Sequence, residues 1–476
     1  MAMKYDEVVP EDLILHFQKT IPGFKEEDYK HQWALAKMAW QGSAKQREHR
    51  HFDGAMSFPY QELETCFGRS GFGLINARVA FFSVTKSWSK DKQFTRGFKF
   101  SELVQKTIEK YLDSKWSKVT RMLTADNKPR KGLGRAISSR DMNNSTTDRW
   151  PKDTGLNKII VDVHGLESLR KWLRRIRDEY RRGHVPTAGL FSRINSIEPV
   201  ERWLAGTSKV IRIATADSAD YGVLPQRYVE AASGRLYAVG VNLQTAPTLV
   251  KQAALAGQWE YDFANCHFAI LMHLSEKFGY TCHAVKNYLA NKRQVRSQIA
   301  QSADISQTAA KKCLLAAIYG ARQSLREEDA IPKEIGKERA KLLYQDPLFM
   351  AIKEDIDQAR TQILKKSPKT PNGRLINAFG KACPGGANTA ERLAHLTQGI
   401  EAQALRATVE LYPSEIVLLQ HDGFVARRQL DKVALIEAVH RATGIPFDVE
   451  ERMVQVDPDA QFEKSQANRM QSEIGR

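Results

Sequence analysis

The sequence predicts an α+β fold, and three observations carry that expectation. Segments with apolar residues at helical spacing dominate the chain, above all 165–183 and 306–322. Two β-rich apolar runs within 415–428 are joined by a tight His-Asp-Gly turn, which is a hairpin signal. The aromatic run "WEYDF" (259–263) reads as a buried strand leading into the helix-like "CHFAILMHLSEKF".

Taken in order, residues 11–40 read as helices. "PEDLILHFQKT" opens on an acidic turn after Pro10, and "EEDYKHQWALAKMAW" repeats apolar positions at helical spacing. Residues 72–88 contain a β-branched and aromatic run that suits a strand. From Ser101 to Met122, Leu103, Val104, Ile108, Tyr111, Leu112, Trp116 and Val119 recur as on an amphipathic helix. The stretch 124–155 is poor in large apolar residues and is expected to be a mobile loop or linker. "GLESLRKWLRRIRDEYRRG" (165–183) is a strong helix whose stacked arginines suit either a phosphate backbone or a solvated face.

"SGRLYAVGVNLQTAP" (233–247) reads as a loop broken by Gly234 and Gly240, in which Arg235, Asn242 and Gln244 offer groups for base edges and sugars. Asp262 falls at the C-terminal end of its strand, where it can present a carboxylate to a cleft or cap the next helix. In the helix of 306–322, Gln307, Lys311, Leu315 and Tyr319 step by four along one face. A lysine two turns before an exposed aromatic can hold a phosphate while the ring faces a base; otherwise Tyr319 belongs to the core. Asp422 sits in the hairpin turn between His421 and Gly423.

Composition narrows the partners. At 476 residues the chain is long enough for two or three domains, and a net charge of +17 favours polyanions. Residues 1–200 hold 36 Lys and Arg against 24 Asp and Glu, which places about +12 of that charge in the N-terminal part. Cys66, Cys266, Cys282, Cys313 and Cys383 lie far apart, which argues for reduced core thiols over a zinc ribbon or disulfide framework. His49 and His51 belong to a basic patch and are spaced wrongly for one helix face. No run of eighteen apolar residues and no signal pattern occurs, so a cytoplasmic protein with no membrane partner is expected.

Four segments, in this order, resemble the family-A DNA polymerases of the bacterial DNA polymerase I type, over about residues 231–430. "GRLYAVGVNLQTAP" carries the family's G-R-L and N-L-Q elements; "DFANCHFAILMHLS" follows its first catalytic motif; "KKCLLAAIYG" matches its fingers helix; "LLQHDGFV" matches its second catalytic hairpin. "ERLAHLTQGIEAQAL" (391–405) resembles the helix before that hairpin, with Gln398 and Gly399 as the family's Gln-Gly.

The resemblance implies a right-hand fold with an antiparallel palm sheet and helical fingers and thumb, behind a basic N-terminal domain. It divides the chain into 1–155 (N-terminal domain), 156–230 (thumb-like helices), 231–290 (palm), 291–350 (fingers) and 351–476 (palm). It implies nucleotidyl transfer by two Mg²⁺ ions, for which Mn²⁺ can substitute, held by Asp262, Asp422 and the carbonyl of Phe263. Lys311 would grip the triphosphate and protonate the leaving pyrophosphate, and Tyr319 would pack on the incoming deoxynucleoside triphosphate. Arg235, Asn242 and Gln244 would touch the primer–template minor groove, with Gln398 and His421 near the primer end.

The departures are as informative. Gln307 replaces a basic residue, so Lys312 or another cation is needed to complete the triphosphate site, and Leu315 replaces an aromatic. His267 stands where the family's DNA polymerases carry a glutamate that crowds the ribose 2′ position, and its bulk predicts a deoxynucleotide preference. Gly423 replaces a glutamate, as in single-subunit phage RNA polymerases. In "VDVHGLE", Asp162 and Glu167 have the wrong spacing for an exonuclease, so no proofreading is expected. A phage, plasmid or other mobile element suits the size, with the N-terminal domain recruiting a replication partner. Two alternatives remain: an RNA polymerase or primase-like enzyme that starts chains de novo, and an inactive nucleic-acid-binding protein.

Overall fold

The computed structural model describes most of residues 150–456, apart from 152–153, 185–196, 217–219 and 240. It also describes residues 7–25 and the short pieces 31–32, 35, 56–57, 82–86, 97–104, 106–107 and 120–123. It is an α+β protein with antiparallel sheets, as the sequence predicts.

In the N-terminal part, β1 (Glu7–Pro10) leads into α1 (Glu11–Thr20), whose Leu13, Ile14 and Phe17 are buried. The strands β2 (Met56–Ser57), β3 (Phe82–Lys86) and β4 (Gly97–Phe100) form a sheet in the order β2-β4-β3. β3 lies within the run expected to be a strand. β5 (Thr120–Leu123) pairs with β1, which corrects the C-terminal end of the helix expected up to Met122. Within that stretch 102–104 and 106–107 are helical, and its remaining residues, like most of the 124–155 loop, lie outside the described ones. Trp150, late in that loop, is buried and donates its ring N–H to the Gly234 carbonyl at 3.2 Å.

Residues 156–230, expected to be helical, contain strands as well. β6 (Lys158–Asp162), α2 (Val163–Arg181), α3 (Glu198–Ile213), β7 (Thr215–Ala216) and β8 (Tyr221–Pro225) make two helices and a sheet in the order β6-β8-β7. The apolar stripe of α2 (Leu166, Leu169, Leu173, Ile176) shares a core with Val417, Leu418 and Val425 of the central sheet. Asp162 accepts a hydrogen bond from the Gly165 N–H at 2.7 Å and caps α2, a structural role that uses up its carboxylate. β9 (Arg227–Glu230) and β10 (Leu236–Val239) form a hairpin, so the segment read as a loop from Gly234 onward contributes a strand; alternation in "LYAV" was outweighed there by its glycines.

After α4 (Thr248–Leu255) comes β11 (Trp259–Phe263), then the helices α5 (Cys266–Lys277), α6 (His283–Ala290), α7 (Lys292–Ser302), α8 (Gln307–Ile318), α9 (Ala330–Ile335), α10 (Lys337–Leu343) and α11 (Pro347–Lys366). Their inward faces make one helical core containing Tyr288, Leu314, Phe349 and Ile356. The long α12 (Thr389–Leu411) starts on a capping box between Asn388 and Glu391. β12 (Ile416–Leu419), β13 (Gly423–Ala426), α13 (Lys432–Thr443) and β14 (Val449–Met453) are the last described elements. The central sheet has the order β12-β13-β11-β14, all antiparallel.

Candidate active site

Alternation along β11 builds the floor of the site. Tyr261 and Phe263 point into the core, where Tyr261 stacks on Phe424 with centroids 5.0 Å apart and Phe263 packs on Phe447 at 5.1 Å. Glu260 and Asp262 therefore share the other face. Register places Gly423 opposite Asp262 on one side and Glu450 opposite it on the other. The Phe263 N–H donates to the Asp422 carbonyl at 2.8 Å, so the turn carrying Asp422 is tied to the end of β11.

The predicted pair, Asp262 and Asp422, is thus brought together by backbone pairing, and Glu450 joins it. Asp262 is exposed, not buried as its flanking aromatics suggest, yet enough protein surrounds it to desolvate the carboxylate. That desolvation, followed by the charges of Asp422 and Glu450, pushes its pKa up to about 7, against the lowering effect of Lys311. Glu450 is held below its ordinary range, chiefly by the hydrogen bond from Lys292 at 2.7 Å.

Gly423 has a packing reason to be glycine. A Cβ there would lie 2.3 Å from the Tyr261 carbonyl oxygen, so any larger residue would part β11 from β13 beside both aspartates.

Between β11 and α5, Asn265 adopts a left-handed backbone (φ 50°), a conformation that asparagine tolerates better than most residues. Arg296 on α7 donates to Asn265 Oδ1 at 2.7 Å and to the buried Tyr288 hydroxyl at 2.9 Å, which pins this turn to the helical core. Arg296→Met should release the turn and lower catalytic efficiency about tenfold with little change in thermal midpoint, as expected when a positioned group shifts by a fraction of an ångström. Steady-state kinetics beside a melting curve check it.

Helix α8, capped by Ser306, presents the fingers-motif residues. Lys311 is exposed and makes no hydrogen bond or ion pair among the described residues; the charges it feels include Asp262 and Glu450. Lys312, one residue on, turns toward α9 and pairs with Glu334 at 2.6 Å. Gln307, where the resemblance expects a cation, is exposed. Leu315 packs against the helical core. Tyr319 ends the helix with 41% of its surface exposed, so it is not a core residue, and Gly320 turns the chain away in the left-handed region.

His267, in the first turn of α5, is buried among polar groups. Its Nε2 lies 3.1 Å from the Tyr319 hydroxyl, 3.2 Å from Arg235 Nη2 and 3.2 Å from Glu401 Oε2. Arg235 and Glu401 form an ion pair, with Glu401 fully buried. Burial alone would lower the Arg235 pKa, but the charge and hydrogen bond of Glu401 more than offset it and the guanidinium stays charged.

The residues expected on the primer–template side have internal partners. Arg235 is engaged by Glu401; Asn242 is buried and accepts from the Thr245 N–H at 2.9 Å; the Gln244 amide donates to the Leu236 and Leu419 carbonyls at 3.0 and 2.9 Å. Gln244 thereby braces the β9–β10 hairpin against β12. Gln398 lines a cavity of about 570 Å³ with Ser233, Tyr237, Cys383 and His395, and the Tyr237 ring meets His421 at 5.9 Å.

Sequence reading missed Glu401, Glu450, Arg296 and Tyr237. Glu401 had a signal: it falls on the helical face of Thr397, Leu405 and Thr408, all buried, where an acid demands a partner. Glu450 had only its place in a strand-like run.

No family model matches the chain, and no curated protein is significantly similar to it. Among solved structures, the POL domain of Pol1 from M. smegmatis in complex with DNA primer-template and dNTP is similar at 15% identity, over 63% of this chain and 67% of that one, with a TM-score of 0.43.

Proposed function

We propose that this chain is a template-directed DNA polymerase that adds deoxynucleotides to a primer 3′-hydroxyl. The observation that supports it is the register β13-β11-β14, which sets Asp262 beside the Asp422 turn and opposite Glu450, with the unpaired Lys311 close enough to act on that charge. In this reading the central sheet is the palm, and α7 to α10 belong to the fingers.

The carboxylates suit a hard divalent cation. Desolvation and then the charges of Asp422 and Glu450 raise the Asp262 pKa, so negative charge is gathered there without an equal positive charge, and Mg²⁺ needs few protein oxygens because it keeps waters and takes substrate phosphates. Asp262, Asp422 and the Phe263 carbonyl would hold two such ions, which when bound would neutralise the reacting phosphate and favour ionisation of the attacking hydroxyl.

The chain's own side chains do the rest. The 3′-oxygen bonds to the α-phosphorus as the bond to pyrophosphate breaks; the hydroxyl proton passes to solvent water, and Lys311 supplies a proton to the departing pyrophosphate. Tyr319 offers its exposed ring to the base, and His267, five residues after Asp262 and in contact with the Tyr319 hydroxyl, lies beside the sugar. Arg235, Asn242 and Gln244 shape the groove wall, with Gln398 and His421 at the primer end.

Gly423, the residue that favours an RNA polymerase, is accounted for by the close approach of Tyr261, so the deoxynucleotide reading stands first. Extension assays on primed and unprimed single-stranded templates with dNTPs or NTPs test it. Mg²⁺-dependent extension of the primed template with dNTPs is the expected result. Synthesis that starts without a primer from NTPs would favour the primase-like reading, and no synthesis under any condition would leave an inactive nucleic-acid-binding protein.

A further inference from the structure

The ion pair under His267 is poorly explained as a stabilising device. Glu401 is fully buried, and its Oε1 has no hydrogen-bond partner among the described residues; nor has Arg235 Nε. A buried pair with open valences contributes little to stability and can often be replaced by apolar residues without loss. Its presence calls for a different reason, and the geometry supplies one. Glu401 Oε2 touches both the Arg235 guanidinium and His267 Nε2, while Nε2 also faces the Tyr319 hydroxyl.

Three neighbours compete for one ring nitrogen. Arg235 can only donate, an ionised Glu401 can only accept, and the Tyr319 hydroxyl can do either. With Glu401 in place, Arg235 Nη2 donates to the carboxylate, and the His267 Nε2 carries the hydrogen and donates to Oε2. Without Glu401, Nε2 would turn acceptor for Arg235, and the ring would be drawn toward the cation.

We infer that Glu401, reaching across from α12, is the positioning residue that fixes the ring of His267 and the hydroxyl of Tyr319 as one rigid wall against the nucleotide sugar. This rests on the polymerase reading. In that reading the phosphates lie at the aspartates and the base at Tyr319; His267, on the first turn of the helix that follows the Asp262 strand and in contact with the Tyr319 hydroxyl, then faces the ribose. The wall discriminates only if it cannot swing aside to admit a 2′-hydroxyl, and Glu401 holds it. The acid that a sugar-facing residue could have carried itself is supplied from a second helix, with histidine as the intermediary.

The test compares wild type, Glu401→Gln and the relocated variant Glu401→Gln/His267→Glu, which returns a carboxylate to the same cluster. The readout is the ratio of kcat/KM for dNTP to that for the matching rNTP, with thermal midpoints recorded alongside. Glu401→Gln should lower the ratio about tenfold, mainly by raising rNTP incorporation, as for loss of one orienting contact, and the relocated variant should restore it. A folded Glu401→Gln enzyme with an unchanged ratio overturns the inference. The ¹⁵N spectrum of histidine-labelled wild type gives a second readout independent of turnover. His267 should be the Nε2-protonated tautomer, and an Nδ1-protonated ring overturns the inference even if the variants do not fold. A wild-type enzyme that synthesises nothing removes the polymerase reading, and sugar selection with it, whereas synthesis with an unaltered ratio removes only the role of Glu401.

Discussion

Asp262→Asn and Asp422→Asn, made separately, should each lower primer extension by about a thousandfold or more, and the double variant should be hardly worse than either alone. The amides keep the size of the side chains and the backbone pairing of β11 with β13, so only charge is lost. Groups that act as one unit are not additive, and stabilisation of a charged reaction centre is commonly worth several orders of magnitude. Single-turnover extension measures the loss. Synthesis undiminished in both single variants would sink the proposed site.

The same substitution has a signature without substrate. The Asp262 carboxyl is raised from 3.8 to about 7, so the folded metal-free protein holds that proton more tightly than the unfolded chain does. Its stabilising contribution is full below the ordinary carboxylate range and is lost as pH rises through about 7. Above that pH the ionised aspartate is a cost that asparagine does not carry. Asp262→Asn should therefore melt above wild type near pH 8 in chelator, with the gap closing toward pH 4. The side chain is exposed and screened, so the gain is about 1 kcal/mol, or roughly 2–4 °C. Added Mg²⁺ should raise the wild-type midpoint near pH 8 more than that of the variant.

Lys311→Ala should cost about a hundredfold in kcat, while Lys312→Ala should stay within about threefold of wild type, because loss of a general acid typically costs two to four orders of magnitude. The contrast follows from helix geometry. Successive residues on α8 differ by about 100° in direction, which turns Lys312 toward Glu334 and leaves Lys311 on the side of Asp262 and Glu450. Equal losses in both variants would mean that only the positive charge of α8 matters.

Much of this arrangement was legible in the sequence. Helical spacing located α2 and α8, and two β-rich apolar runs joined by a tight turn located β12 and β13. Strand-to-helix transition after "WEYDF" put Asp262 at an element end, where a rigid frame can aim a carboxylate. Those are local properties, set by periods of 3.6 and 2 and by turn chemistry. The strands β6 and β8 were missed because short strands beside strong helices give few residues of alternation, and β5 because its apolar residues also fit the helix before it.

By itself the sequence determined the strand end and the hairpin that carry Asp262 and Asp422, and the helix that carries Lys311 and ends at Tyr319. Only the tertiary structure decided their company. Register placed Glu450 opposite Asp262, ion pairing claimed Lys312 and Arg235, and the buried face of α12 delivered Glu401 to His267. The reason is physical: a side chain's type and local direction follow from neighbours in the chain, but whether a charge is free, paired or desolvated depends on groups far away in sequence that packing brings within a few ångströms.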